Sequence, residues 1–507
     1  MNKSKERKAK NRQRWHRTLL VPCAMAVSAA SLAAQVPSAP PPQTGKPSQF
    51  KNVAPVNREV LKITLPRPAE ADLPNGAHLM VLEDHRVPSV SFQIIITGAG
   101  GYYDPKDLPG LADTTASLMD EGTAARTSEQ IAQALDTMAA SVSISANEGS
   151  QIATLSGTAL SDQLDDVIAL AADILLHPKF SDEEIARYKA RTRAALQDQR
   201  GDPDFLAQER YSKAIYGDHP ASSTGVTKES LEKITRDALV AFHKASYVPD
   251  YALIAVSGDI TLAQARAKFE AALKEWTKSG KPRPGVTDPP PTGPMKIHIV
   301  NRPASVQTNY LLGEQAINRL NPDFDALQVM NTVLGGPNGR LFRILREEKG
   351  YTYGASSGVH VLRYRGDWRA AMDVRTDVAE PSLRDLLVEL GKMRDQIVPT
   401  SEFEDAQRSM TARFALSLES PAEVLNLYVL RQMYGYPADY WDRYSERIAA
   451  VTPAQVQAVA KKYLDPAKLQ IVAVGDASKV QAGLSKIGVV ALYDDEGKPL
   501  AAAPAAP

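Results

Sequence analysis

The chain has 507 residues, with 59 Lys+Arg balanced by 59 Asp+Glu. Eight basic residues but only one acid fall in residues 1–17, so the rest carries 51 basic and 58 acidic side chains, a net charge of −7. That excess argues against nucleic-acid binding, which needs a basic face for phosphates, and 43% hydrophobic with 23% charged residues excludes a disordered or fibrous chain.

From the N-terminus, the basic stretch runs into an apolar segment of small residues, 18–34, and Ser31-Leu32-Ala33 has the small-x-small form of a cleavage site. Residues 1–34 therefore read as a signal peptide that exports the chain to the periplasm or beyond. The competing reading is an uncleaved anchor, the one case in which a membrane contact is expected. Pro22, Ser28 and Ser31 make this segment marginal for spanning a bilayer. Cleavage removes Cys23, the only cysteine, and with it any disulfide or thiol chemistry. Residues 35–56, rich in Pro, Ser and Gln, read as a flexible leader.

A first domain is expected over residues 57–277. Residues 79–83 and 90–97 are β-rich, and Asp84-His85-Arg86 between them suggests a hairpin. Helical spacing follows at 111–119 and 128–139, with Ser128 as the expected N-cap. Residues 142–146 and 151–156 alternate as strands, and 160–176 and 182–199 read as helices. Residues 278–294, with six prolines, form a linker, residues 295–490 a second domain, and residues 491–507 a disordered tail.

The two domains echo each other. Residues 242–259 (FHKASYVPDYALIAVSGD) and 458–476 (AVAKKYLDPAKLQIVAVGD) each give a helix end, a Pro turn, a buried strand and Gly-Asp. Asp259 and Asp476 lie 217 residues apart, and the helices around Leu118 and Leu334 are offset by 216. Two landmarks with nearly one offset indicate a duplication. Each half is expected to be α+β, a mainly antiparallel sheet with packed helices.

Gly98-x-Gly100…Asp104…Gly110-Leu-Ala…Glu121-Gly-Thr123, Tyr216-Gly-Asp-His-Pro220 and the stretch from Leu341 to Tyr353 resemble the pitrilysin/insulinase family of zinc metallopeptidases. The nearest resemblance is to its mitochondrial-processing-peptidase-like branch, and it covers about residues 60–490. It implies two homologous domains in a clam-shell arrangement. Active members carry H-x-x-E-H on a helix after Gly-Leu-Ala, two zinc-binding imidazoles and a general base. This chain has Asp113 at the first His position, Ala116 at the base and Ser117 at the second His. The third ligand is a Glu in the family; the matching window, 191–198, offers only Asp198. His78, His85, His177, His219, His243, His298 and His360 include no pair one helical turn apart. No metal is expected in this chain, and no peptide cleavage by it alone.

The resemblance also implies an Arg and a Tyr seven residues apart in the second domain, which hold a substrate carbonyl and the oxyanion across the cleft from zinc. Arg346 and Tyr353 fit that spacing, with Tyr351 as the rival for the tyrosine role. Without the resemblance, Arg346 reads as part of a solvated Arg/Glu helix face and Tyr353 as a half-buried strand residue. The division implies an exported, non-catalytic subunit that pairs with a zinc-bearing homologous peptidase around unfolded peptides. The cofactor, zinc, then belongs to the partner. The alternative is a structural or peptide-binding homologue with no part in catalysis.

Overall fold

A computed structural model of the chain describes residues 59–282 and 285–500. The signal peptide and the leader up to residue 58 lie outside the described residues. From Glu59 onward the chain forms one compact unit built on two sheets.

The first sheet takes strands β1 (Ala69–Asp72), β2 (His78–Glu83), β3 (Ser89–Thr97), β4 (Ser141–Ser145), β5 (Ile152–Leu160) and β6 (Leu253–Gly258) in the order β1-β2-β6-β3-β5-β4. Its half supplies helices α1 (Leu111–Met119), α2 (Ser128–Met138), α3 (Leu164–Leu176), α4 (Asp182–Gln199), α5 (Pro203–Tyr216), α6 (Lys228–Lys233), α7 (Arg236–Ser246) and α8 (Leu262–Ala272).

The second sheet takes β7 (Lys296–Asn301), β8 (Gln307–Gln315), β9 (Thr352–His360), β10 (Asp367–Arg375), β11 (Gln470–Gly475), β12 (Val490–Tyr493) and β13 (Pro499–Leu500) in the order β13-β12-β7-β11-β8-β10-β9. Its helices are α9 (Phe324–Gly335), α10 (Ala379–Asp395), α11 (Thr400–Ser417), α12 (Pro421–Tyr434), α13 (Tyr444–Ala450), α14 (Pro453–Tyr463) and α15 (Ala477–Leu484). The five-strand run β2-β6-β3-β5-β4 is repeated as β7-β11-β8-β10-β9. Each half is α+β.

Strand β6 is buried at five successive residues instead of alternating, which requires cover on both faces of the sheet. Ile254 and Val256 point into the first domain's core with Leu79, Val81, Phe92 and Ile94. Leu253 and Ala255 point the other way, with Met80 and Leu82, onto Val424, Leu425, Tyr428 and Val429 of α12 from the second half. The second sheet receives the reciprocal cover. Leu206, Ala207, Tyr211 and Ile215 of α5 pack on Val300, Val472 and Val474.

The two exchanged helices are built alike, with Pro at their first position, side-chain N-caps at Asp202 and Ser420, and a C-cap glycine at positive φ, Gly217 and Gly435. Buried Asp367 of β10 seals the exchange by accepting hydrogen bonds from Tyr211 and Tyr216.

Several local expectations change. The strands at 79–83 and 90–97 form no hairpin, because β6 lies between them, parallel to β2 and antiparallel to β3. Thr127, not Ser128, caps α2; its side chain accepts from the Gln130 N–H in a reciprocal capping box. The helix expected from residue 160 begins at Leu164, because residues 157–160 extend β5 against β3. The tail expected to be disordered from residue 491 adds β12 parallel to β7, with Tyr493 8% exposed, and pairs β13 at the edge. Residues 501–507 lie outside the described residues.

Candidate functional site

Helix α1 starts where Gly110 reverses the chain at φ 85°, and a Cβ there would come within 2.5 Å of the Val226 backbone nitrogen. The Asp104 carboxylate accepts from the Gly110 and Ala112 N–H groups at 2.7 and 2.8 Å, satisfying helix-start donors that no N-cap side chain reaches. This is a structural use for the Asp in the Gly-rich motif. Burial, partly offset by those two bonds, pushes its pKa up to about 6.

The degenerate positions lie on this helix. Ala116 is fully buried and offers no donor; Asp113 and Ser117 are half-buried one turn apart. Burial first, then the negative charge of Glu148, raises Asp113 to about 6, against a lowering by the Tyr188 hydroxyl. Tyr188 comes from α4 and is 8% exposed, and its hydroxyl meets that of Thr114 at 3.2 Å. It occupies the space between α1 and α4. Asp198 is an exposed residue further along α4.

Zinc does not fit this set. One half-buried carboxylate whose pKa is raised, one serine hydroxyl and a methyl group are poor donors for a borderline-soft cation that favours imidazole and thiolate. Among the described residues no three His, Cys, Asp or Glu side chains cluster to hold an ion. The described histidines have structural neighbours instead. His243 bonds to the Leu175 carbonyl, His219 to the Thr287 carbonyl, and His85 sits 2.6 Å from Asp259.

The second-domain pair stands differently. After Gly339, Arg340 and Leu341 enter a π-helical turn, Phe342–Glu348, that Gly350 ends at φ 63°. Of the arginines on this segment, Arg340 and Arg343 both reach Glu402, at 2.7 and 3.1 Å. Arg346 is exposed, stacks its guanidinium 4.6 Å above the Phe342 ring, and has no ion pair among the described residues.

Strand β9 packs along this turn and is the edge of the second sheet. Its pairing with β10 jumps from Ala355↔Met372 to Thr352↔Val374, so Tyr353 and Gly354 face Asp373 alone. That bulge re-aims the strand, and Tyr353 is 91% exposed, against 79% for Val306, the next most exposed large hydrophobic residue described. Tyr351 instead packs against the second domain's core. The half-buried packing role therefore belongs to Tyr351, and packing does not account for Tyr353. The pair came from the family resemblance; the bulge that exposes Tyr353 has no local signature, since it depends on pairing with β10.

Comparison with known proteins agrees with the architecture. Residues 79–227 match the profile described as Insulinase (Peptidase family M16), and residues 233–410 match the one described as Peptidase M16 inactive domain. An uncharacterised zinc protease of Mycobacterium leprae is 28% identical over 302 residues, 58% of this chain and 66% of that protein. The alpha subunit of the mitochondrial-processing peptidase of Bos taurus is 24% identical over 76% of this chain and 78% of its own. The crystal structure of a peptidase M16 inactive domain from Pseudomonas fluorescens superposes with a TM-score of 0.75 at 26% identity, covering 81% of this chain and 98% of that one.

Proposed function

The chain belongs to the insulinase (M16) peptidase family, and on that premise we propose that it is an exported, non-catalytic subunit of a heterodimeric zinc peptidase. In this reading a homologous partner carries the zinc, the attacking water and the general base. This chain supplies Arg346 to a substrate carbonyl and the Tyr353 hydroxyl to the oxyanion of the tetrahedral intermediate, a preorganised donor aimed at developing charge.

One observation carries the reading. An arginine with no ion pair among the described residues and a 91%-exposed tyrosine are presented by a π-turn and a bulge, while the matching positions on α1 are Asp113, Ala116 and Ser117. A packing role would have half-buried Tyr353 against the core as it does Tyr351. The bovine relative, named as one subunit of a processing peptidase, supports a chain that acts beside another.

The test is purification of the chain from its source, followed by identification of what accompanies it. The reading requires a zinc-bearing homologue with H-x-x-E-H and peptidase activity only in the pair. Recovery of the chain alone, with no such homologue binding it in sedimentation, moves it to the scaffold class.

A further inference from the structure

The duplication places a second cleft where the first half has its degenerate site. Helix α11 repeats α4 with an offset of 218 residues, and α9 repeats α1 with an offset of 216 near its end. Thr332 and Val333 therefore stand where the first half has Ala116 and Ser117, and Ala406 stands where it has Tyr188. Tyr188 fills the gap between its helices; Ala406 leaves it open. The result is a cavity of about 580 Å³ lined by both α9 and α11.

Its charge is also changed. Arg340, Arg343, Arg408 and Arg413 line it together with two carboxylates, Glu402 and Asp405. Arg340 is 7% exposed, and its one side-chain hydrogen bond among the described residues runs from Nε to Glu402. Its two Nη groups are left to the cavity that it lines. Arg413 has no ion pair or hydrogen bond among the described residues, whereas Arg408 makes only exposed pairs with Glu404 and Asp405 on its own helix. Such pairs contribute little and open readily. Glu348 approaches Arg343 from the rim at 3.6 Å.

We propose that this cleft binds the carboxylate side chains of an acidic peptide segment. Guanidinium forks match carboxylates in a bidentate geometry, and a nine-tenths-buried Arg holds its fork in place without further ordering. The occupant is a peptide because of what adjoins the cleft. Arg343 and Arg340 precede Arg346 by three and six residues on the same helical segment, roughly 4–9 Å along its axis. That is about one to three residues of extended chain, so a peptide held at Arg346 brings nearby side chains to the cleft. The occupant's identity as a peptide rests on the function proposed above, but the binding itself needs neither partner nor cleavage.

The experiment uses the full chain alone and a fluorescent, unstructured dodecapeptide with three consecutive Glu, beside its Gln counterpart, followed by anisotropy. The Glu peptide should bind at least about tenfold more tightly than the Gln peptide, the worth of one or two charge-assisted hydrogen bonds, and should weaken as salt rises. R408A/R413A should weaken the Glu peptide by at least about tenfold, whereas R266A/R384A, which removes the same charge elsewhere, should change it less than about twofold. Circular dichroism checks that both variants fold; these arginines are exposed. Equal binding of the two peptides, equal loss in both double variants, or displacement by inorganic phosphate at the peptide's own concentration overturns the proposal. Any of these leaves the reading of Arg346 and Tyr353 intact, because that reading is tested by turnover in the pair.

Discussion

The cleft between α1 and α4 and the cleft between α9 and α11 are two outcomes of one duplicated design. The first is closed by Tyr188 and carries Asp113, whose pKa burial raises to about 6. The second is open at Ala406 and lined by four arginines. The scaffold under them has hardly diverged: the same five-strand order, and the same pair of proline-started helices exchanged between sheets. Sheet order and helix exchange bury large apolar surfaces, and altering either costs many contacts at once. A cleft side chain is tied to few neighbours, so the chemistry can change while the fold does not. The first half has Asp113, Ala116 and Ser117 on α1 with Tyr188 packed against it, whereas the second leaves Arg346 and Tyr353 exposed.

The largest expected effect falls on the open half. In the complex with a zinc-bearing partner, Tyr353→Phe should lower kcat by roughly 10²–10³-fold, the cost of one oxyanion donor. Arg346→Ala should also lower activity, with a larger share in KM if it holds the ground-state substrate as well. Tyr351→Phe, which alters a packing residue, should leave turnover nearly unchanged. Steady-state kinetics of the three complexes separates the open pair from its half-buried neighbour.

The next effect tests whether the halves are one folding unit. Asp367→Ala removes the shared acceptor of two buried tyrosine hydroxyls that cross from one half to the other. It should cost about 3–4 kcal/mol, because two buried donors lose their partner. Urea denaturation should still show a single transition, moved to lower midpoint. Two separated transitions in the wild-type chain would break the comparison, since the exchanged helices would then not couple the sheets.

The smallest effect concerns the closed cleft. Asp113 has a folded pKa near 6, above its ordinary 3.8, so its contribution to stability is fully present below about pH 4 and is lost as pH rises through 6. Asp113→Asn removes the charged form. The variant should match the wild type near pH 4 and be about 1–2 kcal/mol more stable at pH 8, read from thermal melts across that range. A variant less stable at pH 8 would mean that the carboxylate is bound by an unseen positive partner.

Much of this architecture is written in local sequence. β-rich composition marks strands close to β2 and β3, alternation marks β4 and β5, and helical spacing gives both ends of α4. The repeated Gly-Asp after β6 and β11 revealed the duplication. The misses are non-local. Nothing near residues 84–86 says that a strand from residue 253 will separate β2 from β3, and nothing in α5 or α12 says which sheet each will cover. At the site, the family resemblance suggested Arg346 and Tyr353, and the exposure that separates Tyr353 from Tyr351 arises from a bulge against β10. The arginine cleft was missed because its signal is a small residue. Ala406 matters only beside Tyr188, its counterpart 218 residues earlier.

The central claim is that this chain lends side chains to a zinc site it does not itself contain. Elemental analysis of the chelator-rinsed protein, alone and in complex with its zinc-bearing homologue, tests it most directly. The account predicts no stoichiometric zinc in the chain alone and one zinc per heterodimer. One zinc per chain in the isolated protein would contradict it.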